Sequence, residues 1–248
     1  MTLFIIIIAN IIIGALVGMT GVAGFLLPIL YTSLVFPVNA GLAFSFAAFV
    51  VSGTLGTYNY HKLRLLDFPL ACKLGIGSFI GAILGVRLNL LLSSATIKTI
   101  LYWVVLLSGI SILIKTRQTT SSNHKQQHQL QKNSFLFVLG AITGLICALS
   151  GAGGPILVMP LLLLFDCEPH LAVGVALLDS VFISLPAAVG YLSQINLNNY
   201  LLLFILILVS HGIGVYGGSR YGNRLNGTYL KIGVALFSIG IAALHLFL

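Results

Sequence analysis

Two glycine-rich stretches carry the residue types best suited to holding a ligand. They are Thr20-Gly21-Val22-Ala23-Gly24, followed by Pro28, and Ser150-Gly151-Ala152-Gly153-Gly154-Pro155, followed by Pro160. Each lies inside an apolar run. A helix that starts within a membrane points backbone N–H groups and the positive end of its dipole at the midplane. Such an end favours an anion, and glycine lets the backbone approach it closely. Pro155 suits a first helical turn, where no amide donor is lost. Thr20 and Ser150 can cap these turns or offer a hydroxyl to a ligand. The predicted binding set is Thr20, Gly21, Gly24, Ser150, Gly151, Gly153 and Gly154, with two helix ends facing one central anion.

Two ionisable residues fall inside apolar segments. Asp179 is the one acidic residue well within a span, and His211 sits in the middle of another. Burying such groups is costly, so each is a functional candidate by default. Either can carry a coupling proton, or the two can relay one. The alternative is a structural hydrogen bond from each to a neighbouring helix. Arg87 and Arg220 lie near span ends, where snorkelling and topology setting come first and attraction of an anion second.

Other chemistry is missing from the sequence. GxSxG, HExxH, Walker A and paired-carboxylate spacings are absent, and Ser150 has no base in its local sequence, so neither an enzyme nor a cofactor is expected. With no ATP-binding part, active transport must be coupled to an ion gradient or a separate subunit. Cys72, Cys147 and Cys167 show no CxxC or Cys/His pattern and read as packing residues. His124 and His128 lack cysteine or carboxylate partners, so no metal site is expected.

The elements that would position these groups follow from composition. Of 248 residues, 58% are hydrophobic and 6% charged, which excludes a water-soluble domain. Mean hydropathy is +1.11. Twelve Lys and Arg against four Asp and Glu give a net charge of +8. The cations sit between apolar runs, where positive-inside bias explains them and a nucleic-acid partner is not needed. The runs are continuous, so a β-barrel is excluded. The start, MTLFIIIIANIII, has no basic region or cleavage site and reads as a first membrane segment.

Apolar segments fall at 3–35, 40–60, 68–92, 97–115, 134–165, 170–192, 199–221 and 228–247, with a polar linker at 116–133. Residues 1–115 and 134–248 read as two membrane repeats. A shift of 133 places Gly81 on Gly214, Gly85 on Gly218, Arg87 on Arg220 and Lys98 on Lys231, and puts Phe46 and Ser78 opposite Asp179 and His211. Gly14-x3-Gly18 matches Gly140-x3-Gly144. These GxxxG pairs read as helix contacts. Internal duplication is the usual plan of secondary transporters.

Residues 3–35 as one helix would be about 50 Å long, against a hydrocarbon core of about 30 Å. The sequence therefore predicts a break near the middle of 3–35 and of 134–165. Each would leave two short half-helices that meet inside the membrane and return to one side. Eight simple spans would divide the cations seven to five; two such hairpins change the split to ten against two, leaving Arg87 and Lys98 in the minority. Each half is then a re-entrant hairpin plus three transmembrane helices. The halves are inverted, with the linker cytoplasmic and both termini outside.

The paired stretches GALVGMTGVAGFLLPIL (Gly14 to Leu30) and GAITGLICALSGAGGPILVMPLL (Gly140 to Leu162), each followed by an Ala-rich span and a Gly-x3-Gly-x-Arg stretch, resemble the sulfite exporter TauE/SafE permease family. The resemblance covers the chain outside the linker. It implies an all-α polytopic permease of the bacterial inner membrane that moves small anions such as sulfite, sulfonates or sulfoacetate. The partners expected are that anion and the lipid bilayer, with a homodimer open. A non-transporting membrane subunit of a sulfur-handling system is the alternative.

Overall fold

The computed structural model describes residues 2–34, 36–117, 132–153, 155–165 and 167–221, with isolated positions between 232 and 246. Gly154, linker residues 118–131 with His124 and His128, and most of the last apolar segment lie outside the described residues. The described chain is all-helical. Its helices are α1 (Thr2–Thr20), α2 (Leu26–Ser33), α3 (Val38–Lys62), α4 (Phe68–Asn89), α5 (Ser94–Arg117), α6 (Asn133–Ser150), α7 (Pro155–Leu164), α8 (Pro169–Leu192) and α9 (Leu201–Tyr221). Short 3-10 turns occupy Ala23–Phe25 and Leu197–Tyr200. Among the described residues six helices are long and apolar enough to cross a bilayer, which makes this a polytopic membrane protein.

Both glycine stretches interrupt helices. Gly21 at φ 67° and Gly151 at φ 81° take the left-handed conformation that ends α1 and α6. Their N–H groups donate to Val17 at 2.8 Å and Cys147 at 2.9 Å, closing each helix with a left-handed cap. Pro155 opens α7 in the first turn. The breaks fall within a few residues of the middle of each apolar segment, but the helical arms are unequal. The first arms are 19 and 18 residues long, about 28 and 27 Å, whereas the return arms have 8 and 10. The reason is local: the first arm runs uninterrupted to the leading glycine of each cluster, and the remaining small residues form the turn.

The return arms fold back on the first arms. The Tyr31 hydroxyl of α2 donates to Asn10 Oδ1 of α1 at 2.7 Å. A straight continuation would hold those residues about 30 Å apart. In the second half, Phe135 at the start of α6 meets Phe165 beyond α7 edge-to-face, with ring centroids 5.1 Å apart. Asn10 also donates to Ile6 at 2.8 Å and is fully buried. Tyr31→Phe should therefore leave Asn10 Oδ1 unsatisfied and lower unfolding free energy by about 1 kcal/mol, the usual worth of such a bond between membrane helices. Steric trapping or denaturant unfolding in detergent measures this. An unchanged value would mean that the bond does not hold the return arm.

The broadest helix contacts are α4 on α6 and α1 on α9. Glycines interlock both seams. A β-carbon on Gly77, Gly81 or Gly85 would strike the carbonyls of Phe137, Ala141 or Leu145, and on Gly140 or Gly144 those of Leu74 or Ser78. In the other seam, Gly214 and Gly218 rest on the carbonyls of Ile11 and Ala15, and Gly14 on that of His211. This is small-residue packing.

The seams match contact for contact when α9 is taken 133 residues after α4 and α6 is taken 130 residues after α1. Gly144 on Ser78 then answers Gly14 on His211. In their contacts Gly14 is like Gly144, one helical turn from the Gly14–Gly140 match that glycine spacing suggests. At the centre, α3 and α8 run antiparallel: Gly53 lies on Val181 and Leu177, and Tyr60 on Gly174. These two helices correspond at a shift of 131, since Gly21 touches Val173 as Gly151 touches Leu42. The position matching Asp179 is then Ala48, not Phe46.

Between the spans, Asp67 caps α4 by accepting from the Leu70 N–H at 3.0 Å, and Glu168 caps α8 by accepting from Leu171 at 3.0 Å and His170 at 3.2 Å. Partial burial would raise the Glu168 pKa, but these N–H groups and the His170 imidazole outweigh it and hold the carboxyl below its ordinary value. Burial, then the carboxylates of Glu168 and Asp67, push the Cys167 thiol up to about 12. Only the thiolate reacts. N-ethylmaleimide at pH 8 should therefore leave Cys167 unmodified, by mass spectrometry, until SDS unfolds the chain. Rapid labelling of folded protein would contradict this.

Candidate functional site where two helix breaks meet

The two breaks converge on one side chain. Phe49 lies eleven residues into α3 and is 1% exposed. A β-carbon built on Gly24 would meet Phe49 Cε1 at 2.8 Å, and one built on Gly153 would meet Cε2 at 2.9 Å. For both glycines the three nearest atoms all belong to this ring. Gly153 is itself left-handed, at φ 80°. Thr20, Gly21, Gly24, Ser150, Gly151 and Gly153 are all buried around this point.

The hydroxyls at the breaks serve the turns. Thr20 Oγ1 donates to Leu16 at 2.7 Å and accepts from the Val22 N–H at 3.2 Å. Ser150 Oγ donates to Cys147 at 3.4 Å and accepts from Ala152 at 3.3 Å. Of the two roles open to them, the geometry uses capping. The last carbonyls of the first arms are satisfied from neighbouring helices: Tyr60 donates to Met19 at 3.4 Å, Tyr191 to Ala148 at 2.8 Å and Asn89 Nδ2 to Leu149 at 2.6 Å. The first break is thus tied to α3 and the second to α4 and α8.

Asp179 and His211 are fully buried but occupy different seams. Asp179 on α8 faces Ser78 of α4 and Cys147 of α6. Its carboxylate and the Ser78 hydroxyl face each other across α8 and α4, close enough to interact, without a hydrogen bond of good geometry. His211 on α9 lies against Gly14 of α1, its ring beside the Asn10 backbone, with no hydrogen bond of good geometry at either nitrogen. A direct Asp179–His211 relay is not formed. The α4–α6 seam thus holds Ser78 with Asp179 beside it, and the α1–α9 seam holds His211. Among the described residues no three of His, Cys, Asp and Glu gather as a metal site.

Several residues of this region escape sequence reasoning. Phe49 is one more aromatic in an apolar run. Ser180 and Ser184, buried on α8 with unpartnered hydroxyls, had a readable signal in their spacing after Asp179. Asn59 ties α3 to α9 through Ser219 Oγ at 2.7 Å, a link spanning 160 residues.

The sequence profile of the sulfite exporter TauE/SafE family matches residues 3–245. The chain is 22% identical over 234 residues to a protein of Bacillus subtilis (strain 168) named "Probable membrane transporter protein YdhB". That alignment covers 93% of this chain and 95% of the relative. No solved structure matches the chain.

Proposed function

The chain belongs to the sulfite exporter TauE/SafE family, and from that premise we propose that it is a secondary carrier of a small sulfur-containing or carboxylated anion in the bacterial inner membrane. One observation carries the reading: both interrupted helices bring their breaks to the same phenyl ring, at Gly24 and Gly153. Two helix starts, each with roughly half a positive elementary charge at its tip, then share one water-poor space. The anion is held there by the backbone around Gly21, Gly24, Gly151, Gly153 and Gly154, within turns capped by Thr20 and Ser150.

The halves are an inverted repeat, each a re-entrant hairpin followed by three spans. The antiparallel course of the corresponding helices α3 and α8, and the paired seams, support this reading. Alternating access comes from one half rocking against the other around the fixed anion. Asp179 and His211 are the groups suited to carry a coupled proton, since each is a fully buried ionisable group beside a seam that must shift. The ten-to-two distribution of cations puts the linker in the cytoplasm and both termini outside.

Purified protein reconstituted alone should show saturable counterflow of labelled sulfite or a short sulfonate, with no current of the single-channel kind. A thermal-shift screen of sulfite, thiosulfate, small sulfonates and short carboxylates should find stabilisation by one chemical class, through mass action. Protein that is folded, binds none of them and gives no counterflow would overturn the reading.

A further inference from the structure

We propose that Phe49 sets the size of the anion the protein passes. This rests on the carrier reading above and goes beyond it by assigning the boundary of the binding space to one ring. Opposite edges of the ring, Cε1 and Cε2, rest on Gly24 and Gly153. Beyond the adjoining chain, the atoms nearest to where either glycine's β-carbon would sit belong to this ring, so the ring fills the space in front of both glycines.

The ring is held from behind. Phe46 meets Phe49 edge-on at 5.7 Å and 85°. Phe46 in turn stacks on Tyr191 at 5.5 Å and 9°, and Tyr191 donates to Ala148 in the arm that leads to the second break. Edge-on and stacked rings of this kind fix one another's orientation. The chain Phe49–Phe46–Tyr191 thus links the wedge to α8 and α6. The position corresponding to Phe49 in α8 is Ser180, which is buried and whose hydroxyl has no partner. At this position one half carries a ring and the other a hydroxyl, so the bulk that faces the breaks comes from the first half.

An anion seated between the breaks must turn the ring aside. A small oxyanion needs a slight rotation, whereas each added methylene claims volume that the ring occupies. Discrimination of about tenfold or more per methylene is what a tight apolar boundary delivers.

The test is counterflow of labelled methanesulfonate and ethanesulfonate in proteoliposomes of the full chain, with the wild type and Phe49→Ala, Phe49→Leu and Phe79→Leu. Phe79 is 39% exposed on the outer face of α4 and serves as a control. The wild type should favour methanesulfonate at least about tenfold, and Phe49→Ala should cut that ratio about tenfold or more, with Phe49→Leu intermediate and Phe79→Leu unchanged. If Phe49→Ala does not insert, Phe49→Leu decides. Wild-type ratios in inserted Phe49 variants would overturn the size assignment and leave the carrier reading standing. Absence of counterflow in folded wild type would overturn both.

Discussion

Gly153→Leu should reduce counterflow of a labelled small anion at least about a hundredfold in protein that still inserts and purifies as one species. Two costs add at this position. Gly153 sits at φ 80°, where a residue with a β-carbon loses about 1–2 kcal/mol. Its β-carbon would also lie 2.9 Å from Phe49 Cε2, and forcing extra carbons into a filled space costs about 1–3 kcal/mol. A hundredfold rate loss corresponds to about 2.7 kcal/mol, within the sum of the two. Gly24→Ala should be milder, because Gly24 meets the same ring at 2.8 Å without the left-handed backbone. Wild-type rates in Gly153→Leu would remove this break from the binding site.

The largest loss of stability is expected at the interlocked seams. Gly144→Leu drives a side chain into the Ser78 carbonyl, and Gly14→Leu drives one into that of His211. Backbone cannot swing away as a side-chain tip can, so the helices must separate and lose the close approach that holds them. Each variant should lose about 3 kcal/mol or more, the upper end for overpacking. Gly217→Leu on α9 has nothing within 4 Å of its β-carbon and should leave stability unchanged. Thermal unfolding of the three purified variants measures this. Because Gly14 and Gly144 each press on a backbone carbonyl of the facing helix, their losses should be similar. A large loss at one and none at the other would refute the matched seams.

The sequence made the breaks legible for a simple reason. Over-long apolar runs with glycine and proline at their centres cannot continue as one helix through about 30 Å of hydrocarbon. The matching of α4 with α9 was legible too, because Gly81, Gly85 and Arg87 recur at one spacing in Gly214, Gly218 and Arg220. Register in the first arms was not. The shifts differ, 130 for α1 with α6, 131 for α3 with α8 and 133 for α4 with α9, since the connections differ in length. Glycine recurring every fourth residue in a helix allows a slip of one turn, and only packing partners resolve it.

Asp179 and His211 stood out by their cost in a membrane, whereas their placement in separate seams depends on which face of each helix meets its neighbour. Phe49 was invisible because an aromatic residue in an apolar run is ordinary. Its significance comes from two glycines, 25 residues before it and 104 after it, that leave it room.

Anomalous scattering from crystals soaked with selenite, a selenium-bearing stand-in for sulfite, tests the convergent breaks most directly. A single peak between residues 21–24 and 151–153, with the Phe49 ring turned aside, is the expected result. A peak at Arg87 or Arg220 and none at the breaks, in crystals of protein whose sulfite counterflow selenite blocks, would contradict it.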